Sequence, residues 1–103
     1  MKLIPARLTR DGRAQARLNR DMFEVATGLG HYVPMWSEYT NVWLRTSLIE
    51  PRFQAALDAL VDLGDVEVDT RTFHHHDKPA TTVFYYRLTQ RGRDVLYALQ
   101  ADQ

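Results

Sequence analysis

The chain has 103 residues, 45% of them hydrophobic, and its 13 basic and 13 acidic side chains leave no formal net charge. It has no cysteine, which excludes disulfides, thiolate metal sites and cysteine nucleophiles. Its length predicts one domain with a modest core, and no stretch nears the roughly 20 apolar residues of a membrane span, so a cytoplasmic protein is expected.

Thr9 is read as the N-cap of a first helix over about residues 10–29, with Asp11 in the dipole-favoured first turn. Ala14, Leu18, Met22, Val25 and Leu29 recur every three or four residues and define its apolar face, widened by Phe23 and Ala26. Gly28 and Gly30 are expected to end it. His31–Trp36 contains Pro34 and reads as an extended connector or a short edge strand. Ser37 is expected to cap a second helix of about 37–45. Pro51 suits the first position of a third, whose stripe is Phe53, Ala56, Leu57, Leu60 and Leu63 and which Gly64 stops.

Val66 and Val68 alternate with Asp65, Glu67 and Asp69, the pattern of a half-buried strand with a solvated acidic side. Val83–Leu88 is rich in aromatic and β-branched residues and predicts a second strand. The polar run between them, with Pro79, suits a hairpin tip. Thr89 then caps a last helix of about 89–101 with Val95, Leu96 and Leu99 on one face. Arg7–Arg13 weakly echoes Arg87–Arg93, which is shared capping chemistry and not duplication.

Charge is segregated despite neutrality. Residues 1–20 hold six basic residues and one acidic, residues 50–69 hold six acidic and one basic, and residues 71–93 hold five basic and one acidic. That layout permits a basic face on a neutral protein. Arg10, Arg13, Arg17 and Arg20 fall at spacings of three, four and three, forming one stripe on the first helix. Such a stripe either tracks phosphates, binds a partner or is a solvated helix face.

The order helix, extended piece, helix, tight turn, helix, strand, wing, strand, helix now stands complete. Together with Leu57-x-x-Leu60-x-x-x-Gly64, and Tyr86-Arg87-Leu88-Thr89 followed by Gly92 and Leu96, it resembles the winged helix-turn-helix bacterial regulators of the PadR, MarR and ArsR type, over about residues 36–99. The resemblance implies an α+β fold: a three-helix core with a helix-turn-helix at about 37–63, a two-stranded wing at about 65–88 and a C-terminal helix. It implies a homodimeric transcription regulator, such as a repressor, that binds double-stranded DNA sequence-specifically.

Under that resemblance the third helix would read base edges. Arg52 suits guanine and Gln54 adenine. Arg45, Thr46 and Ser47 in the preceding turn suit phosphates, as do Arg71, His75, Lys78 and Arg87 on the wing. Asp58 and Asp62 depart from the pattern, because they place negative charge on that helix's exposed side. Met22 and Phe23 of the first helix and Leu96 and Leu99 of the last are the expected dimer contacts.

His74, His75 and His76 beside Asp77 raise the question of a metal. Consecutive strand residues point to opposite faces and do not converge on one ion, so no metal or other cofactor is expected. Tyr32, Trp36, Tyr39, Trp43, Phe84, Tyr85 and Tyr86 raise the question of a small-molecule effector, which the sequence leaves open; core or interface packing explains such clusters more often. No Ser-His-Asp spacing, phosphate loop or metal-hydrolase motif is present, and no enzyme is expected. Two rivals remain: a winged-helix module that binds a protein partner, and a plasmid or phage DNA-binding protein for partition or replication control.

Overall fold

The computed structural model describes residues 10–101, with side chains from Gly12 onward. The cap assigned to Thr9, and the side-chain roles of Arg10 and Asp11, lie outside the described residues. Helix α1 spans Arg10–Gly30, strand β1 Ser37–Glu38, α2 Tyr39–Leu44, α3 Glu50–Asp62, β2 Val66–Phe73, β3 Thr81–Leu88 and α4 Gln90–Ala101.

The apolar period places α1 at the centre of the packing. Met22, Val25, Ala26 and Leu29 are buried with Val42 of α2, with Phe53, Ala56, Leu57 and Leu60 of α3, and with Val66, Tyr86, Leu88 and Leu96. Ala14, expected on this face, is exposed, so burial begins only around Leu18. Gly28 and Gly30 are both helical, and neither closes α1 through a left-handed residue. Their small size matters instead. A Cβ on Gly30 would sit 3.0 Å from Leu96 Cδ2, and one on Gly28 would lie 3.8 Å from Arg45 Cβ.

Ser37 does not cap α2. It lies in β1 opposite Tyr86, 4% exposed, and the cap position is Glu38, which makes no side-chain capping bond. Its hydroxyl is buried and makes no hydrogen bond among the described residues. The strand therefore begins one residue beyond the stretch expected to be extended. The third helix starts at Glu50 with Pro51 in its first turn and Ile49 as cap.

The end of α3 follows from its sequence. Gly64 takes φ +79°. Its N–H donates to Val61 O and the Asp65 N–H to Leu60 O, both at 3.0 Å. Those paired bonds satisfy carbonyls that a helix end would orphan, and glycine pays no Cβ penalty in the left-handed region. Thr89 caps α4 as expected: Gly92 N–H donates to its Oγ1 at 3.1 Å, while that hydroxyl donates to Gly64 O at 2.7 Å.

The three strands form one antiparallel sheet in the order β1-β3-β2, so the expected two-stranded wing gains a third strand at its base. The register pairs Val66 with Leu88, Val68 with Tyr86 and Phe73 with Thr81. Val68 is 44% exposed although its register partner Tyr86 is buried, so along β2 itself burial is confined to Val66. Asp65 was expected on a solvated strand face but is fully buried. Its carbonyl accepts the Thr89 N–H at 3.0 Å and its carboxylate pairs with Arg91 Nε at 3.1 Å.

Two expected dimer contacts belong to the chain's own core. Met22 is 3% and Leu96 1% exposed, so neither offers surface to a second subunit. Phe23 and Leu99 are partly buried at the edge of that core. Tyr97, next to the apolar face of α4 in the sequence, is 54% exposed.

Candidate nucleic-acid interface

Arg52 stands in the first turn of α3, but its guanidinium is turned toward α1. Nε donates to Asp21 Oδ2 at 2.9 Å and Nη2 to Asp21 Oδ1 at 2.6 Å. The Asp21 side chain is only 7% exposed, so Arg52 supplies the partner that a sequestered carboxylate needs. The hydrogen bond to Asp21 raises the guanidinium pKa above its ordinary value. To reach a base edge, Arg52 must first leave this fork-to-fork pair.

Gln54, the other expected base reader, is also engaged. Its Nε2 donates to Asp58 Oδ1 at 2.8 Å and its Oε1 accepts from the Tyr39 hydroxyl at 3.0 Å. Glu50, Asp58 and Asp62 are exposed on α3. The helix therefore presents three carboxylates beside one arginine that is already neutralised. Ala59, next to Asp58 in the chain, packs against the core.

The turn between α2 and α3 is braced from two sides. Ser47 donates from its N–H at 2.9 Å and its hydroxyl at 2.7 Å to one oxygen of Glu24 in α1. The Thr46 hydroxyl donates to Trp43 O at 2.8 Å. Arg45 lies 4.7 Å above the Tyr32 ring centroid and donates through Nε to the Tyr32 hydroxyl. Arg45 and Ser47 are exposed despite these contacts.

Every residue from Arg71 to Thr82 on the wing is exposed. On one face of the ribbon Arg71 pairs with Asp69 at 3.3 Å and stacks 4.6 Å from the Tyr85 ring centroid. Arg87 pairs with Glu67, its register partner, and lies 4.2 Å over Trp36. His75 Nε2 is 3.1 Å from Thr81 Oγ1 at the tip, and Lys78 stands exposed beyond it. Among the described residues no group of three His, Asp or Glu side chains is placed to hold a metal.

The aromatic residues do not gather into one cavity. Tyr39 meets Phe53 edge-on at 5.1 Å and Tyr86 at 6.2 Å, whereas Tyr32, Trp36 and Tyr85 each carry an arginine elsewhere. Burial, then Glu50, raises the Tyr39 pKa; burial, then Asp58, raises that of Tyr86. Both folded-state values exceed the unfolded ones, so folding favours the neutral phenols. This contribution is complete below the unfolded value, near pH ~10, and is lost as pH climbs through the raised folded values. Thermal unfolding followed across that range should show stability falling, and the Tyr39→Phe/Tyr86→Phe double variant should fall less steeply. An unchanged slope would remove the two phenols from alkaline unfolding.

A helix-turn-helix followed by a projecting hairpin and a closing helix is the winged helix-turn-helix architecture, and this chain has it. Among solved structures it is similar to a PadR-like transcription factor from Bacteroides fragilis, with a TM-score of 0.64 and 15% sequence identity over 89% of this chain and 87% of the other. It is also similar to the smu.1704 protein of Streptococcus mutans UA159, with a TM-score of 0.53 and 21% identity over 84% of this chain and 76% of that one. No protein-family model matches the sequence, and no curated protein matches it. At these identities the likeness is one of fold.

Proposed function

We propose that the protein is a cytoplasmic, homodimeric transcriptional regulator that binds duplex DNA sequence-specifically. The observation that carries this reading is the exposed wing from Arg71 to Thr82, in a chain whose helix-turn-helix turn also exposes Arg45, Ser47 and Ile49. A two-stranded ribbon or an extended loop of this kind fits a DNA groove, and its Arg71, His75 and Lys78 are donors to phosphate or base edges. Arg45, Thr46 and Ser47 are the donors we assign to the turn, and Arg87 to the wing root. Arg52 remains the base-reading candidate of α3 and must exchange Asp21 for DNA, whereas Gln54 is held by Asp58 and Tyr39 on the acidic side of the helix. The fold resemblance to a PadR-like transcription factor supports the same reading by analogy. Pairing of subunits would use Phe23, Leu99 and the exposed Tyr97, since Met22 and Leu96 are occupied within the chain.

A gel-shift survey of genomic fragments at low salt tests the proposal. The expected outcome is a fragment whose retardation survives excess random competitor, with a complex sized for two subunits. Retardation of no fragment would favour the second reading, a winged-helix module that binds a protein partner. The exposed Glu50, Asp58 and Asp62 on α3 are the observation on that side, because they repel a polyanion.

A further inference from the structure

We propose that the phosphate backbone of duplex DNA runs along an arginine face made by α1 and the start of α3, not along the acidic outer side of α3. This rests on the DNA-binding reading above and locates its main electrostatic contact. Arg13, Arg17 and Arg20 are all exposed and line one shallow surface depression with Ala14. The next depression joins the two helices: Ala14, Arg17, Leu18 and Asp21 on one side, Pro51, Arg52 and Ala55 on the other. Arg17 belongs to both, so the α1 stripe continues into Arg52 without a break.

Asp21 is the acidic residue lining this face, and it is sequestered beneath Arg52. Glu24, one turn further along α1, is spent on Ser47. The outer side of α3 is the reverse: Glu50, Asp58 and Asp62 stand exposed, and Gln54 is bonded to Asp58. Spacing also suits the proposal. Arg13 to Arg20 covers roughly 10 Å of helix axis at ~1.5 Å per residue. Long arginine side chains spread over that length can each reach a phosphate of the adjacent strand.

The experiment is fluorescence anisotropy of a labelled random-sequence duplex, titrated with protein between about 50 and 200 mM salt. Each phosphate neutralised contributes about 0.9 to the slope of log K against log salt. The Arg13→Gln/Arg17→Gln/Arg20→Gln variant should therefore lose about 2.7 from the magnitude of that slope for each subunit in contact with the duplex. Arg13→Lys/Arg17→Lys/Arg20→Lys should keep it. Asp58→Asn/Asp62→Asn should leave affinity within about twofold of the parent, since those carboxylates would not face the duplex. Circular dichroism confirms that each variant is folded before titration.

A glutamine variant with the parent's slope would overturn the proposal while leaving DNA binding intact. So would an Asp58→Asn/Asp62→Asn variant that binds many-fold tighter, because it would put the outer side of α3 against the duplex. Tighter, stripe-dependent binding to hairpin RNA or to phosphatidylserine vesicles would also overturn it. A wild-type protein that binds no duplex at low salt would remove the DNA reading itself.

Discussion

Replacing Leu96 by glutamate is expected to unfold the chain. Leu96 is 1% exposed, lies 3.0 Å from where a Cβ on Gly30 would be, and joins the buried cluster that includes Val25, Leu29 and Leu57. Removing a buried leucine side chain alone costs about 2–5 kcal/mol. The introduced carboxylate would add the penalty of an ion in an apolar site, or a shifted pKa that leaves a polar acid there. Against a typical net stability of about 5–15 kcal/mol, the sum is enough to populate the unfolded state. Urea unfolding followed by far-ultraviolet circular dichroism checks it. A cooperative transition at the wild-type midpoint, with a change only in sedimentation, would return Leu96 to a subunit interface. The same substitution at Tyr97, 54% exposed on the same helix, should leave the fold intact.

Gly92→Ala is expected to damage the fold nearly as much, although it adds a single methyl group. A Cβ on Gly92 would lie 2.0 Å from the Asp65 carbonyl oxygen and 2.9 Å from its carbonyl carbon. Both obstacles are backbone, so no rotamer change relieves the clash, and α4 must move off the junction of α3 and β2. That carbonyl also accepts the Thr89 N–H, and the neighbouring Gly64 carbonyl accepts the Thr89 hydroxyl. Displacement would therefore strain the cap of α4 as well. The cost should lie near the upper end of the ~1–3 kcal/mol usual for overpacking, or above it. A chemical-denaturation midpoint unchanged from wild type would mean that α4 docks less closely than described.

Sequence reasoning placed most elements because their signals are local. Gly64 after a leucine stripe, Thr89 before Gly92, and the β-branched and aromatic run at Val83–Leu88 each declare their structure within a few residues. Ser37 misled for the same reason. Serine is a strong N-cap by propensity, but Ser37 is held opposite Tyr86, a pairing that no nearby residue announces. Arg52 shows the limit at the candidate site. Its position on the exposed side of α3 is readable, while its partner Asp21 lies 31 residues earlier and is met only once α1 and α3 pack. The apolar faces of α1 and α4 were legible as well. Periodicity identifies a buried side without saying whether the same chain or another copy covers it, and Met22 and Leu96 fell on that ambiguity.

The short pairing of Ser37 and Glu38 with Tyr86 and Tyr85 has a mechanical meaning. It makes the hairpin a cantilever. Its root is clamped by a third strand on the β3 side, while the span past Tyr85 is a bare two-strand beam. A load at Lys78 would bend the beam where the clamp ends, near the Asp69–Tyr85 pair, and leave the root level. The tip can thus follow an uneven surface without disturbing the helices behind it.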